Sequence, residues 1–133
     1  MSDRNVMTLS FPGGTAVHAL WKGHRIETDQ PEADGGNDSA PSPFDYFLAS
    51  IATCVGFYVL KFCRARELPT DGLEIEMRSH RDAATMMISE IDVGITLPPE
   101  FPEKYRDAIL RAADQCAVKR HLHDPPAVKL HLR

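Results

Sequence analysis

The feature that most constrains this chain is an uncharged, mostly apolar run from Tyr46 to Leu60, bounded by Asp45 and Lys61. It falls short of the roughly 20 residues that a bilayer span requires, and Ser50, Thr53 and Gly56 lie within it. A core helix accounts for it better. Ser42, Pro43 and Asp45 supply the start: a hydroxyl at the N-cap, proline at the first helical position, and an anion against the positive dipole end. The spacing predicts a helix from about residue 43 to about Glu67, stopping ahead of Pro69. Apolar nearly all round in its middle, that helix is expected to be covered on most sides.

The flanking segments read as sheet. Residues 6–11 alternate, with Met7, Leu9 and Phe11 on one face, and Pro12, Gly13 and Gly14 close the run as a turn. Residues 15–21 and 23–28 read as a hairpin across Lys22-Gly23. Residues 31–43 are polar and turn-rich, a loop expected to be partly mobile. After the central helix the period returns to two. Leu73, Ile75 and Met77 oppose Glu74, Glu76, Arg78 and His80, and Ile91, Val93 and Ile95 oppose Glu90, Asp92 and Thr96. Such strands, each with one wet face, predict an antiparallel hairpin. A second helix is expected over 102–115, with Tyr105, Ile109 and Ala112 striped toward Cys116, and a last strand with Val128, Leu130 and Leu132 facing in. The order β-β-β-α-β-β-α-β describes a single α+β domain spanning 1–133, with helices on one side of antiparallel sheet.

Composition excludes several classes of function. With 15 Lys and Arg against 19 Asp and Glu, the net charge is −4, without the basic footprint of a nucleic-acid binder. Residues 1–5 lead into no apolar segment, so no signal peptide is expected, nor a membrane role, and a reducing cytoplasm is the expected setting. Three cysteines are too few, and odd in number, for a secreted disulfide scaffold. On one helix, Cys54 and Cys63 point to opposite sides and sit about 13 Å apart along the axis. A disulfide needs Cα atoms within about 7 Å, so this pair is forbidden while the helix stands. An internal redox couple therefore needs Cys116 with one of them, and the small residues around Cys54 favour it. The competing reading is plain burial, since free cysteines are commonly small core residues.

The run Asp29-Gln30-Pro31, Gly35-Gly36, and Ala40 through Cys54 (APSPFDYFLASIATC) resembles the OsmC/Ohr family. In that family a proline-acid start opens a long central helix with a cysteine about three turns in. The segment Ala112-Ala113-Asp114-Gln115-Cys116-Ala117-Val118 resembles the second family cysteine, and the order of elements agrees along nearly the whole chain. The resemblance implies antiparallel sheets wrapped around a long central helix and an intertwined homodimer with sites at the subunit interface. It also implies a thiol-dependent peroxidase for organic hydroperoxides, and sometimes hydrogen peroxide, using no cofactor. Carried over, Cys54 is the peroxidatic thiolate, Cys116 the resolving thiol, and an external dithiol the reductant; Cys63 is the spare.

Hydroperoxide-resistance members place a glutamate ten residues before the peroxidatic cysteine, paired with an arginine from the N-terminal strands. Here position 44 is phenylalanine, Asp45 follows it, and Arg25 and Lys22 are the nearest basic residues. The chain therefore resembles the broader OsmC-like branch, with Asp45 and Arg25 as the substitutes to examine. The other function classes are a non-catalytic binder of an apolar small molecule and a thiol redox sensor. His121, His123, His131 and Asp124 near Cys116 have no metal-ligand spacing, and no metal is expected. Lys119-Arg120 reads as ordinary basic surface. Trp21 and Phe11 are expected to pack on the core, and Tyr46, Phe47, Phe57 and Tyr58 to belong to a dimer core or an apolar pocket near Cys54.

Overall fold

The structure, a computed structural model, describes residues 5–133, which fall into two compact units. One extends through Ala49 and the other covers Ser50–Arg133.

The first unit is built on a three-stranded antiparallel sheet of β1 (Thr8–Gly13), β2 (Ala16–Trp21) and β3 (His24–Thr28), in that order. Lys22 and Gly23 join β2 to β3 with φ of 50° and 80°, both left-handed, as the twist of a two-residue hairpin demands. β1 carries Pro12 through a break in register between Ser10 and Gly13, and the turn follows at Gly14-Thr15, slightly later than expected. A bulge on an edge strand is where a residue without an N–H is tolerated.

The polar loop after β3 is organised around one buried carboxylate. Asp29 accepts hydrogen bonds from the Thr15 hydroxyl, the Gln30, Asn37 and Ser39 N–H groups, and the Ser39 hydroxyl. These bonds, led by that from Thr15, hold its pKa far below the usual carboxylate range. Within the same loop Gly36 packs so closely on Gln30 that a Cβ would lie 1.9 Å from the Gln30 carbonyl oxygen. Only glycine fits there. The expectation of a partly mobile loop overlooked this anchor, because nothing local distinguishes Asp29 from the acids around it.

Helix α1 (Pro43–Ala65) begins with a reciprocal cap: the Ser42 N–H donates to Asp45 Oδ2 at 2.9 Å, and the Asp45 N–H to Ser42 Oγ at 3.2 Å. It ends two residues earlier than expected, where Glu67 turns left-handed at φ 53° and the Leu68 N–H bonds back to the Cys63 carbonyl.

In the second unit, β4 (Glu74–Arg81) pairs antiparallel with β5 (Ile88–Thr96) in the register Ile75↔Ile95 and Met77↔Val93 on one face, Arg78↔Asp92 on the other. Val55, Val59, Phe62 and Cys63 of α1 form the core with Phe101, Ile109, Ala113 and Cys116, and Ile75, Val93 and Ile95 pack against it. By length and composition α1 would also suffice to cross a membrane, but this stripe is occupied by the core. On its other side, among the described residues, Phe57 and Leu60 are exposed. The expectation of cover on most sides is thus unmet, because the chain's own core takes only one stripe.

The second expected helix is two. Helix α2 (Arg106–Ala113) and helix α3 (Ala117–His123) are separated by a break at 114–116. The expected final strand is also absent among the described residues; Val128, Leu130 and Leu132 are 83%, 94% and 99% exposed. Alternation alone does not make a strand, because the ladder hydrogen bonds need a neighbour that the described chain does not bring there. Antiparallel sheets with a long helix nevertheless make the fold α+β, as its composition of elements implied.

Candidate active site

The break between α2 and α3 creates the site. Asp114, Gln115 and Cys116 close α2 with N–H bonds to Leu110, Ala112 and Ala113 carbonyls. Cys116 then leaves helical geometry (φ −46°, ψ 124°) and becomes the N-cap of α3, its sulfur accepting the Lys119 N–H at 3.5 Å. The Lys119 ammonium reaches back to Asp114 as an ion pair and clamps the corner. This places the wholly buried Cys116 close to the half-buried Cys54 of α1, which packs against the core cluster that Cys116 belongs to.

The two sulfurs are driven in opposite directions. Burial acts to raise the Cys54 pKa, but the Val118 N–H, the Cys116 thiol, the Ala117 N–H and the Arg120 charge together outweigh it, and the net shift is down. For Cys116, burial and the hydrogen bond to Cys54 both favour the protonated form and override the Lys119 N–H. Negative charge is therefore favoured on Cys54 and the protonated form on Cys116. Cys63 is buried elsewhere in the core; burial raises its pKa, opposed by Arg66. All three are free thiols. A thiol biased toward thiolate with a second thiol close by has the parts for oxidation to a disulfide.

An apolar groove of about 390 Å³ lies among α1, β5, α2 and α3, and neither Cys54 nor Cys116 lines it. Ile51 and Val55 form its α1 wall, Ile91 and Val93 its sheet wall, and Leu110 and Leu122 its other helical side. Lys119 and Asp114, already paired, are its charged members.

The sequence model of the family described as OsmC-like protein matches residues 35–131. The chain belongs to the OsmC-like family. Solved structures similar to it include a protein from Psychrobacter arcticus 273-4 described as an osmotic stress induced and detoxification response protein, 23% identical with a TM-score of 0.73, over 90% of this chain and 89% of that one. An OsmC-like protein from Mycoplasma pneumoniae is 14% identical with a TM-score of 0.69, over 94% and 91%. An organic hydroperoxide resistance protein OsmC from Legionella pneumophila is 15% identical with a TM-score of 0.56, over 88% and 87%. At these identities the likeness speaks for the fold. No curated protein matches the chain.

The substitutes considered for the glutamate and arginine of hydroperoxide-resistance members have other partners in this OsmC-like chain. Asp45 is engaged in the cap with Ser42, and Arg25 pairs with Glu27 at 2.7 Å on an exposed strand. The Lys22 ammonium lies over the half-buried Trp21 ring, while Phe11, expected in the core, is 76% exposed. Tyr46 donates its hydroxyl to the Glu27 carbonyl, and Phe57 meets Tyr58 edge-on. His121 directs Nδ1 at the Ala117 carbonyl, 2.7 Å away, and among the described residues no group of three or more His, Cys, Asp and Glu is arranged to hold a metal. The groups that do act on Cys54, the Ala117 and Val118 N–H and Arg120, were missed by sequence reasoning. Their available signal was the short polar step Asp114-Gln115 followed by Cys116, which can end one helix and cap the next.

Proposed function

We propose that this OsmC-like protein is a thiol-dependent peroxidase for organic hydroperoxides, with Cys54 as the peroxidatic and Cys116 as the resolving cysteine. The observation that carries it is the packing of Cys54 against the core cluster that holds Cys116, with Cys54 biased toward thiolate and Cys116 toward the protonated form. The apolar groove supports an apolar organic group on the substrate. Neighbours of this fold described as an organic hydroperoxide resistance protein and as an OsmC-like hydroperoxide resistance protein support the reaction class.

The Cys54 thiolate attacks the terminal peroxide oxygen; the S–O bond forms, the O–O bond breaks, and the departing alkoxide takes a proton to leave as the alcohol. Cys116, as thiolate after proton loss, attacks the sulfenic sulfur; the S–S bond forms and hydroxide leaves as water. An external dithiol reduces this disulfide in two exchange steps and is itself oxidised to a disulfide. The setting is a reducing cytoplasm, and the working form is a homodimer. The exposed Leu9 and Phe11 of β1, Phe57 and Leu60 of α1, and the alternating Val128, Leu130 and Leu132 support a second copy as their cover.

The second reading, a non-catalytic binder of an apolar small molecule, is favoured by Phe44 at the family's glutamate position and by the commitment of Asp45 to Ser42. One experiment separates the two. Peroxide consumption with dithiothreitol is measured for wild type and for Cys54→Ser, Cys116→Ser and Cys63→Ser. The peroxidase reading expects turnover by wild type and Cys63→Ser, none by Cys54→Ser, and a trappable sulfenic acid in Cys116→Ser. Activity of Cys54→Ser equal to wild type, or no turnover by any protein, sinks it.

A further inference from the structure

We propose that residues 127–133 of one chain add as a third strand to the free edge of β5 in a second copy, so that each chain supplies the outer wall of its partner's apolar groove. The inference rests on the homodimer reading and names the two surfaces that meet.

The two surfaces have matching deficiencies. Residues 127–133 keep the alternation of a strand, with Val128, Leu130 and Leu132 against Lys129, His131 and Arg133, yet all are exposed and form no ladder among the described residues. The β4–β5 sheet holds only two strands, fewer than an independently stable sheet needs, and leaves one edge of β5 unpaired. The groove opens on that side of the sheet, because Ile91, Val93 and Ile95 of β5 line it and no residue of β4 does. Across it, Leu110 and Leu122 are exposed apolar side chains without a roof. A strand laid along the β5 edge continues the sheet over them. The pleat then sets Val128, Leu130 and Leu132 on the face shared with Ile91, Val93 and Ile95.

Charge selects β5 among the available edges. Its outer face carries Glu90 and Asp92, and the outer face of the tail carries Lys129, His131 and Arg133. Among the described residues Asp92 and the three basic tail residues have no ion pair, and Glu90 has only His80 at 4.0 Å. The other edges fit less well. β4 mixes Glu74 and Glu76 with Arg78 and His80, β1 is interrupted by Pro12 and its register break, and β3 sets Arg25 against its own Glu27. Within one chain Pro125-Pro126 stiffens the exit from α3, and the tail beyond it leaves all three apolar side chains uncovered. A second copy covers them reciprocally: about a twofold axis the same pairing of tail and β5 edge occurs twice.

The test is a charge exchange, read by sedimentation velocity over a concentration series at low salt. Glu90→Lys with Asp92→Lys, and Lys129→Glu with Arg133→Glu, each set like charges against one another at both copies of the contact. Each double variant is expected to raise the concentration for half-dimerisation by about tenfold to a hundredfold, and by less in about 1 M salt. An equimolar mixture of the two restores opposite charges at both contacts and is expected to dimerise near the wild-type concentration. Lys22→Glu with Lys104→Glu, the same charge change as in the tail at exposed sites elsewhere, is expected to dimerise like wild type. All four exchanged residues are exposed, and circular dichroism checks that the fold is kept; if the β5 pair does not fold, Asp92→Lys alone takes its place. Double variants that dimerise like wild type overturn the proposal, as do a loss that mixing fails to restore and an equal loss in the Lys22 and Lys104 control. Altered thermal stability with unchanged self-association also overturns it, as the mark of a tail closing on β5 of its own chain. A wild type that stays monomeric refutes the homodimer and the strand exchange with it, whereas a dimer indifferent to both charge sets refutes the exchange alone.

Discussion

Cys116 lies close to Cys54 while its sulfur accepts the Lys119 N–H that begins α3. One thiol therefore terminates a helix and meets a nucleophile. Their proximity lowers the Cys54 pKa and raises that of Cys116, so negative charge is favoured on Cys54 over Cys116.

This polarity predicts an order of titration. As pH rises, Cys54 is alkylated first, and Cys116 and Cys63 only above the ordinary thiol range. Cys116→Ala removes the donor to the Cys54 sulfur, so the Cys54 profile moves to higher pH and its alkylation at neutral pH slows by about twofold to tenfold. Cys116→Ser, which keeps a donor, moves it less. Residue-resolved alkylation kinetics check the order, and simultaneous labelling of Cys54 and Cys116 contradicts it.

Ser42 and Asp45 give a stability prediction that also bears on Asp45 as a catalytic substitute. Ser42→Ala and Asp45→Ala each lose one half of the reciprocal cap, expected to cost about 1 kcal/mol. The midpoint of urea denaturation reads that loss. A helix-capping role expects peroxide consumption by folded Asp45→Ala to stay near wild type, and a loss of several hundredfold reassigns Asp45 to the chemistry.

Asp29 predicts an acid sensitivity. Its folded pKa is depressed, so its contribution to stability is complete above the ordinary carboxyl value of 3.8 and drains away as pH falls below that toward the folded value. Asp29→Asn loses the contribution at neutral pH and flattens the dependence below pH 4. Denaturant midpoints measured from pH 7 down to pH 2 show the slope, and identical slopes in wild type and variant contradict it.

The core and the tail are expected to respond differently to truncation. Ile109 is 1% exposed, and Ile109→Ala should cost about 2–5 kcal/mol of stability. Leu130→Ser and Leu132→Ser remove side chains left exposed among the described residues, so their effect should fall on self-association. Sedimentation equilibrium expects a shift from dimer toward monomer in the tail variants. An unchanged dimer removes the tail from the interface.

Much of the fold could be read from local pattern. The apolar run after Ser42-Pro43, the two-residue periods over 74–81 and 88–96, and the Lys22-Gly23 turn each express a propensity that neighbours in sequence satisfy. The tail has the same alternation and forms no strand among the described residues, because a strand needs a partner that period cannot supply. The α2–α3 break was hidden for a related reason. Ala112 through Val118 is compatible with continuous helix, and only the packing of Cys116 into the core selects the cap.

The sequence by itself determined that Cys54 and Cys63 cannot pair, since rise and rotation along one helix separate them whatever surrounds it. It also determined the start of that helix and the family to which the motif points. Tertiary structure alone decided that Asp45 serves the helix cap, that Asp29 holds the loop, and that Ala117, Val118 and Arg120 attend Cys54. The reason is physical: a helical rise is a property of adjacent residues, whereas the protonation of a thiol depends on which donors, charges and apolar walls folding brings within a few ångströms.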